Sequence, residues 1–138
     1  FGTEMTLEEM LELSLVAAQC GSDSFADKRF QDAYLDLTIS VNVTDQYLKI
    51  FRERGTSLNE KALQEQQSNR SSVMSNLARA AAILGKPEAE SYAKHALHLA
   101  STLTDVLTRT RRIANAYAAH ATVCQLSGHI SDAREWAI

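Results

Sequence analysis

The chain is poor in residues that interrupt regular structure. It has one proline and five glycines in 138 residues. An all-β chain of this length needs many tight turns, and turns draw on these residue types. The scarcity argues against such a fold and excludes long linkers. No stretch approaches the ~18 apolar residues that a membrane span requires. The start, Phe1-Gly2-Thr3-Glu4, has no basic region of the kind that opens a signal peptide and no initiator Met. The end falls inside an amphipathic pattern. A piece of a longer, cytoplasmic protein is therefore expected. The two cysteines, Cys20 and Cys124, cannot build a disulfide framework. Both lie in apolar helical surroundings and are expected to be small buried hydrophobes in a reducing compartment.

What is present is ordinary globular material, 45% hydrophobic and 22% charged. The length suits one domain. The net charge is −3, whereas nucleic-acid binders usually carry a basic excess. The charge is unevenly spread. Residues 1–36 hold eight acids against Lys28 and Arg29, a balance of −6, and the rest holds nine acids against twelve bases, +3.

The hydrophobic period is helical throughout. Leu7, Met10, Leu11, Leu15 and Ala18 recur at steps of three and four. Thr6-Leu7-Glu8-Glu9 is a capping box that opens this first helix. Gly21 stands where its exit is expected. Ser24 then caps a second helix carried by Phe30, Ala33, Tyr34, Leu37, Val41, Leu48 and Phe51. Its segment 38–44 is rich in β-branched residues, so a kink is expected there. Ser57-Leu58-Asn59-Glu60 opens a third helix over 58–84. The polar run Gln64-Glu65-Gln66-Gln67-Ser68-Asn69 in it reads as a solvated extension or a frayed break. Gly85 ends that helix, and Pro87 starts a fourth over 87–103. A fifth spans 106–126, and Ser131 caps a sixth. The prediction is an all-α fold of six helices in three antiparallel hairpins and no β-sheet.

Two stretches repeat each other. Residues 76–85 parallel residues 119–128, and each is followed by a turn and a helix start, at Glu88-Ala89 and Asp132-Ala133. Ala78 and Ala121 would let helices approach closely, Gly85 and Gly128 would turn the chain, and Ala89 and Ala133 would sit at helix crossings. With Leu77, Ala96 and Tyr117, these residues resemble the tetratricopeptide repeat (TPR) family over about residues 72–138. The pattern departs in three places. The Gly85 to Gly128 spacing is 43 instead of 34, the turn after Gly85 is one residue short, and His120 replaces the usual Leu. Lengthened repeats, like those of kinesin light chains, account for the first. The resemblance implies a right-handed α-solenoid with TPR-like repeats over 58–138, the last truncated, and a more divergent hairpin over 6–54. It also implies a concave face that binds a peptide or helix of another protein.

Candidate chemistry is sparse. His95 and His98 lie on adjacent turns but lack further ligands with zinc spacing, so no metal or cofactor is expected. Cys20 and Cys124 show no neighbouring His in sequence. Glu8, Glu9 and Glu12 read as a solvated face favoured near a helix N-terminus. No nucleophile, phosphate-loop or dinucleotide motif is present, and a non-enzymatic chain is expected. Polar residues do form one stripe, Arg111, Asn115, Thr122 and Gln125 on the fifth helix, with Ser72, Ser75 and Arg79 as its equivalent on the third. Of these, Arg79, Arg111, Asn115, Thr122 and Gln125 are the predicted partner-binding residues, suited to an acidic peptide because Arg offers a planar fork of donors. The basic run at Arg109, Arg111 and Arg112 lacks the interleaved aromatics of a nucleic-acid surface. Tyr92, Tyr117 and Trp136 read as packing residues. The acidic first helix reaching this stripe in another copy would give a homo-oligomer. The same helices as a sensor or dimerisation part of a larger regulator are the alternative.

Overall fold

The computed structural model describes residues 6–53 and 60–126, and among these the chain is all-helical. In order come α1 (Leu7–Ala26), α2 (Phe30–Glu53), α3 (Glu60–Ile83), α4 (Ala89–Ser101) and α5 (Val106–Leu126). The expected sixth helix, with Gly128, Ala133 and Trp136, lies outside the described residues, as do Ser57, Leu58 and Asn59 of the third-helix box.

The capping box of α1 forms as expected. Thr6 Oγ1 accepts from the Glu9 N–H, and Glu9 Oε1 accepts from the Thr6 N–H, both at 3.1 Å. The exit does not fall at Gly21. The helix runs on to Ala26, through Ser24, which caps nothing. It closes where Arg29 N–H reaches Ser24 O at 2.8 Å and Lys28 N–H reaches Phe25 O at 3.0 Å. This is a Schellman turn with a lysine at its left-handed position, φ 63°. Sequence reasoning looked for glycine there. The end of α3 is the expected version: Gly85 takes φ 72° and Lys86 N–H reaches Ala81 O at 2.8 Å. Pro87 precedes the N-cap Glu88 of α4 instead of entering its first turn.

Gly21 is inside α1 because it is where α1 and α2 touch. A β-carbon there would lie 2.6 Å from Leu37 Cγ. The buried face of α1 is accordingly Met10, Ser14, Ala17, Gly21 and Ser24, mostly small residues. Of the apolar residues that carry the helical period, Met10 is buried but the others are not: Leu15 is 51% exposed, and Leu7, Leu11 and Ala18 are only partly covered. The β-branched segment of α2 is helical throughout, with Ser40, Val41, Val43 and Thr44 all buried. Packing outweighs the weak helix propensity of these residues. Buried hydroxyls fasten the pair. Ser14 Oγ lies 2.5 Å from Thr44 Oγ1, and Ser40 Oγ donates to Ser14 O at 2.9 Å.

The rest of the array packs through alanine. Ala78, Ala81, Ala89, Ala93, Ala119 and Val123 join α3, α4 and α5 in one cluster. Leu37, Val41, Met74, Leu77, Ala96, Leu99 and Ala116 join α2 to the same three helices. Of the residues chosen from the repeat pattern, Ala78, Ala89 and Ala96 are buried, whereas Ala121 is only partly covered and Tyr117, expected to pack, is exposed. His120 is buried as well. Helices α1 and α2 run antiparallel, as do α3 and α4, while α3 and α5 lie side by side in the same direction. Helix α2 packs on α1 and α3, and α4 packs on α3 and α5, whereas α2 and α4 do not pack backbone to backbone. They are linked by Tyr34, whose hydroxyl donates to Glu88 Oε1 at 2.5 Å. That bond holds the phenol's pKa well above its ordinary value, and Lys86 Nζ sits 5.4 Å from the ring centre.

Candidate functional site: the face of α1, α3 and α5

Helices α2 and α4 cover one side of α3, leaving α1, α3 and α5 to share the other. Of the five residues predicted to bind a partner, the structure brings Arg79 and Asn115 together. The Arg79 Nη2 donates to Asn115 Oδ1 at 2.7 Å and to its carbonyl at 3.3 Å, while Nη1 donates to Asn76 Oδ1 at 3.1 Å. Burial lowers the guanidinium's pKa from its ordinary value without removing its charge. Arg79 is thus a half-buried strut from α3 to α5, a role that spacing alone did not reveal. Arg111 and Gln125 are exposed on α5, 14 residues or about 21 Å apart along the helix. Thr122 is partly buried, and its hydroxyl donates to Ala118 O at 3.1 Å. Ser75, placed on the equivalent α3 stripe, is fully buried and belongs to the core.

Asn69 and Asn76, not singled out for this face in the sequence, complete it. With the expected Ser72 and Arg79 they recur at three, seven and ten residues along α3, the signature of one helix face. Between α1 and α3 lies a narrow cleft lined by Leu15, Ala18, Gln66, Asn69, Arg70 and Val73 above the hydroxyls of Ser14, Ser40 and Thr44. It has about 30 Å³ of open space, room for one or two waters and too little for a small-molecule ligand.

The polar half of α3 is neither frayed nor merely solvated. Gln64 Oε1 accepts from Thr104 N–H at 2.8 Å, and Ser68 Oγ accepts from Arg112 Nε at 3.0 Å. Ser71 Oγ donates to Ala96 O at 2.9 Å. The run is polar because it holds the α4–α5 turn through hydrogen bonds. Asp105 caps α5 by accepting from Thr108 N–H at 2.9 Å, which lowers its carboxyl pKa.

The titratable groups take new positions. Cys20 is exposed, against expectation, and Cys124 is buried. A histidine does neighbour Cys124 after all: His120, one turn earlier, places Nδ1 3.2 Å from the thiol sulfur, with both side chains buried. Among the described residues, no three His, Cys, Asp or Glu are grouped to hold a metal ion. Comparison with family models, curated proteins and solved structures returned no match.

His95 is partly buried beside Arg70 and Asp45, which pair at 2.6 Å between α3 and α2. Burial lowers the imidazole's pKa; Arg70 and His98 act the same way and Asp45 opposes them. The unfolded chain therefore takes up this proton at a higher pH than the folded one. Stability from His95 is complete above the ordinary histidine value of about 6.5 and is lost as pH falls below it. The melting temperature is expected to fall from about pH 7.5 to about 5 more steeply than that of His95→Gln. Parallel slopes for the two proteins would contradict the assignment.

Proposed function

We propose that the chain is a non-enzymatic protein–protein interaction module, a TPR-like array whose α1–α3–α5 face takes an extended peptide or helix of a partner protein. The observation that carries this reading is the Arg79 strut. It fixes α3 against α5 and orders the amides of Asn76 and Asn115 between exposed Asn69 and exposed Gln125. A carboxamide both donates and accepts, so such a row suits a partner's main chain. Arg111 is the exposed cation available to a partner carboxylate. Half-exposed Leu15, above Val73, offers an apolar anchor. The stacking of α2 and α4 on one side only, the left-handed Gly85 and the buried Ala78, Ala89 and Ala96 support the TPR-like reading. A cytoplasmic setting goes with it.

The test selects binders from a random peptide library and follows them by amide NMR. Peptides enriched in acidic residues are expected to shift Asn69, Asn76, Arg111 and Gln125. The Asn76→Ala/Arg111→Ala protein should bind them at least about tenfold more weakly, and more so at low salt. Unchanged affinity, with shifts centred on exposed Lys94 and His98 of α4, would place the binding surface elsewhere.

A further inference from the structure

The first and last of the described helices are opposite in charge. Helix α1 carries Glu8, Glu9, Glu12 and Asp23 and no Lys or Arg, whereas α5 carries Arg109, Arg111 and Arg112 and no Asp or Glu. Arg109 donates to Leu103 O and Arg112 to Ser68 Oγ, so Arg111 is the exposed cation of α5. Each also presents apolar side chains on the side turned away from α3. On α1, Ser14, Ala17 and Gly21 meet α2, while Leu15 and Ala18 line the cleft toward α3. Helical rotation puts Leu13, Val16 and Cys20 on the opposite flank. On α2, Leu37 and Val41 pack toward Met74 and Leu77 of α3, so Leu35 and Ile39 face away. Leu13 packs against a separate cluster of Met10, Val43 and Tyr47. Val16 is 53% exposed, Leu35 50% and Ile39 38%. The α1–α2 end thus presents an apolar strip with Glu12 and Asp23 exposed beside it, while Asp32, also exposed, pairs with Arg29 at 3.4 Å. At the other end, Ala116, Ala119 and Val123 of α5 pack inward, leaving Leu107, Ala114 and Ala118 exposed with Arg111 at their edge.

We propose that the α1–α2 end of one molecule docks on the outer face of α5 of a second copy, head to tail. Apolar strips meet at the centre and carboxylates meet arginine at the rim. Opposite charge selects this pairing, because α1–α2 against itself would set carboxylate on carboxylate. The contact is heterologous, so it leaves one free face of each kind and continues into a chain or closes into a ring. It shares Arg111 with the groove reading, but the variants that test it, Ile39→Asp and Leu107→Asp, leave Asn76 and Arg111 unchanged, so the two can fail separately.

The experiment is sedimentation velocity over a concentration series at about 0.05 M and about 0.5 M salt. The unaltered protein should form a ladder of species that shrinks at high salt. Ile39→Asp and Leu107→Asp change exposed positions on opposite ends. Each should weaken association at least about tenfold while circular dichroism stays helical. Mixed together, they retain one complementary pair of faces and should form a complex of two that grows no further. Cys20, the one exposed cysteine, supplies a second readout. Its reaction with a maleimide should slow as the unaltered protein is concentrated, and not for Ile39→Asp. A monomer at every concentration overturns the proposal. So does a dimer that Leu107→Asp leaves intact, since that would be α1–α2 against itself. Failure of the two variants to pair also overturns it.

Discussion

Replacing Gly21 with alanine is expected to destabilise the protein, although alanine is the better helix former. Inside a helix the exchange is worth about 1 kcal/mol in alanine's favour. Here the added methyl would lie 2.6 Å from Leu37 Cγ and 2.7 Å from Cδ2, with the Leu37 backbone nitrogen at 3.3 Å. Leu37 is fully buried, so it has no open space to move into. Overpacking of this kind costs about 1–3 kcal/mol. The net change is destabilising, by up to about 2 kcal/mol. Leu37→Ala alone should cost about 2–5 kcal/mol through lost burial and the cavity left behind. Once that side chain is cut back, the methyl at position 21 has room. Gly21→Ala should then stabilise the Leu37→Ala protein by some tenths to about 1 kcal/mol. Urea denaturation of the four proteins gives the coupling, expected at about 1–3 kcal/mol. If Gly21→Ala stabilises the unaltered protein, the two helices do not approach as closely as described.

The same contact explains what was legible in the sequence and what was not. Periodicity showed that the chain is helical, and the bounds of α5 were read correctly. The capping box at Thr6 and the turn at Gly85 followed from local chemistry, because their partners lie within a few residues. Gly21 misled for the opposite reason. A glycine in sequence looks the same whether it ends a helix or admits a neighbour, and the neighbour, Leu37, lies 16 residues on. Apolar size misled in α1, where close approach selects Ser14, Ala17 and Gly21 for the interface and leaves Leu15 half exposed. In the candidate site, the spacing of Arg111, Asn115, Thr122 and Gln125 marked one helix face. The Arg79–Asn115 bond between α3 and α5 depends on how the helices stack, and no single-helix pattern contains that.

The pair between Arg70 and Asp45 is expected to respond asymmetrically to loss of either partner. Arg70 is the buried member, its side chain 17% exposed against 49% for Asp45. Its Nη2 meets Asp45 Oδ1 at 2.6 Å, and its Nε is buried without a hydrogen-bond partner. Asp45→Ala therefore leaves a largely buried cation with less compensation than before. Breaking a fully buried pair costs about 3–5 kcal/mol. Half-exposed Asp45 is screened by water, which brings the expected loss to about 1–3 kcal/mol. Arg70→Met removes the charge, keeps an unbranched apolar stem in place and returns Asp45 to water. It should change stability by less than about 1 kcal/mol. The double variant should resemble Arg70→Met, since no unpaired cation remains. Urea midpoints at neutral pH decide the order; a larger loss for Arg70→Met than for Asp45→Ala would mean that the pair is a net stabiliser. His95 offers a check on the same variants. Asp45 is the carboxylate that raises its imidazole against burial and Arg70. In Asp45→Ala the His95 titration followed by NMR should move further below the ordinary histidine range, and in Arg70→Met it should move back toward it.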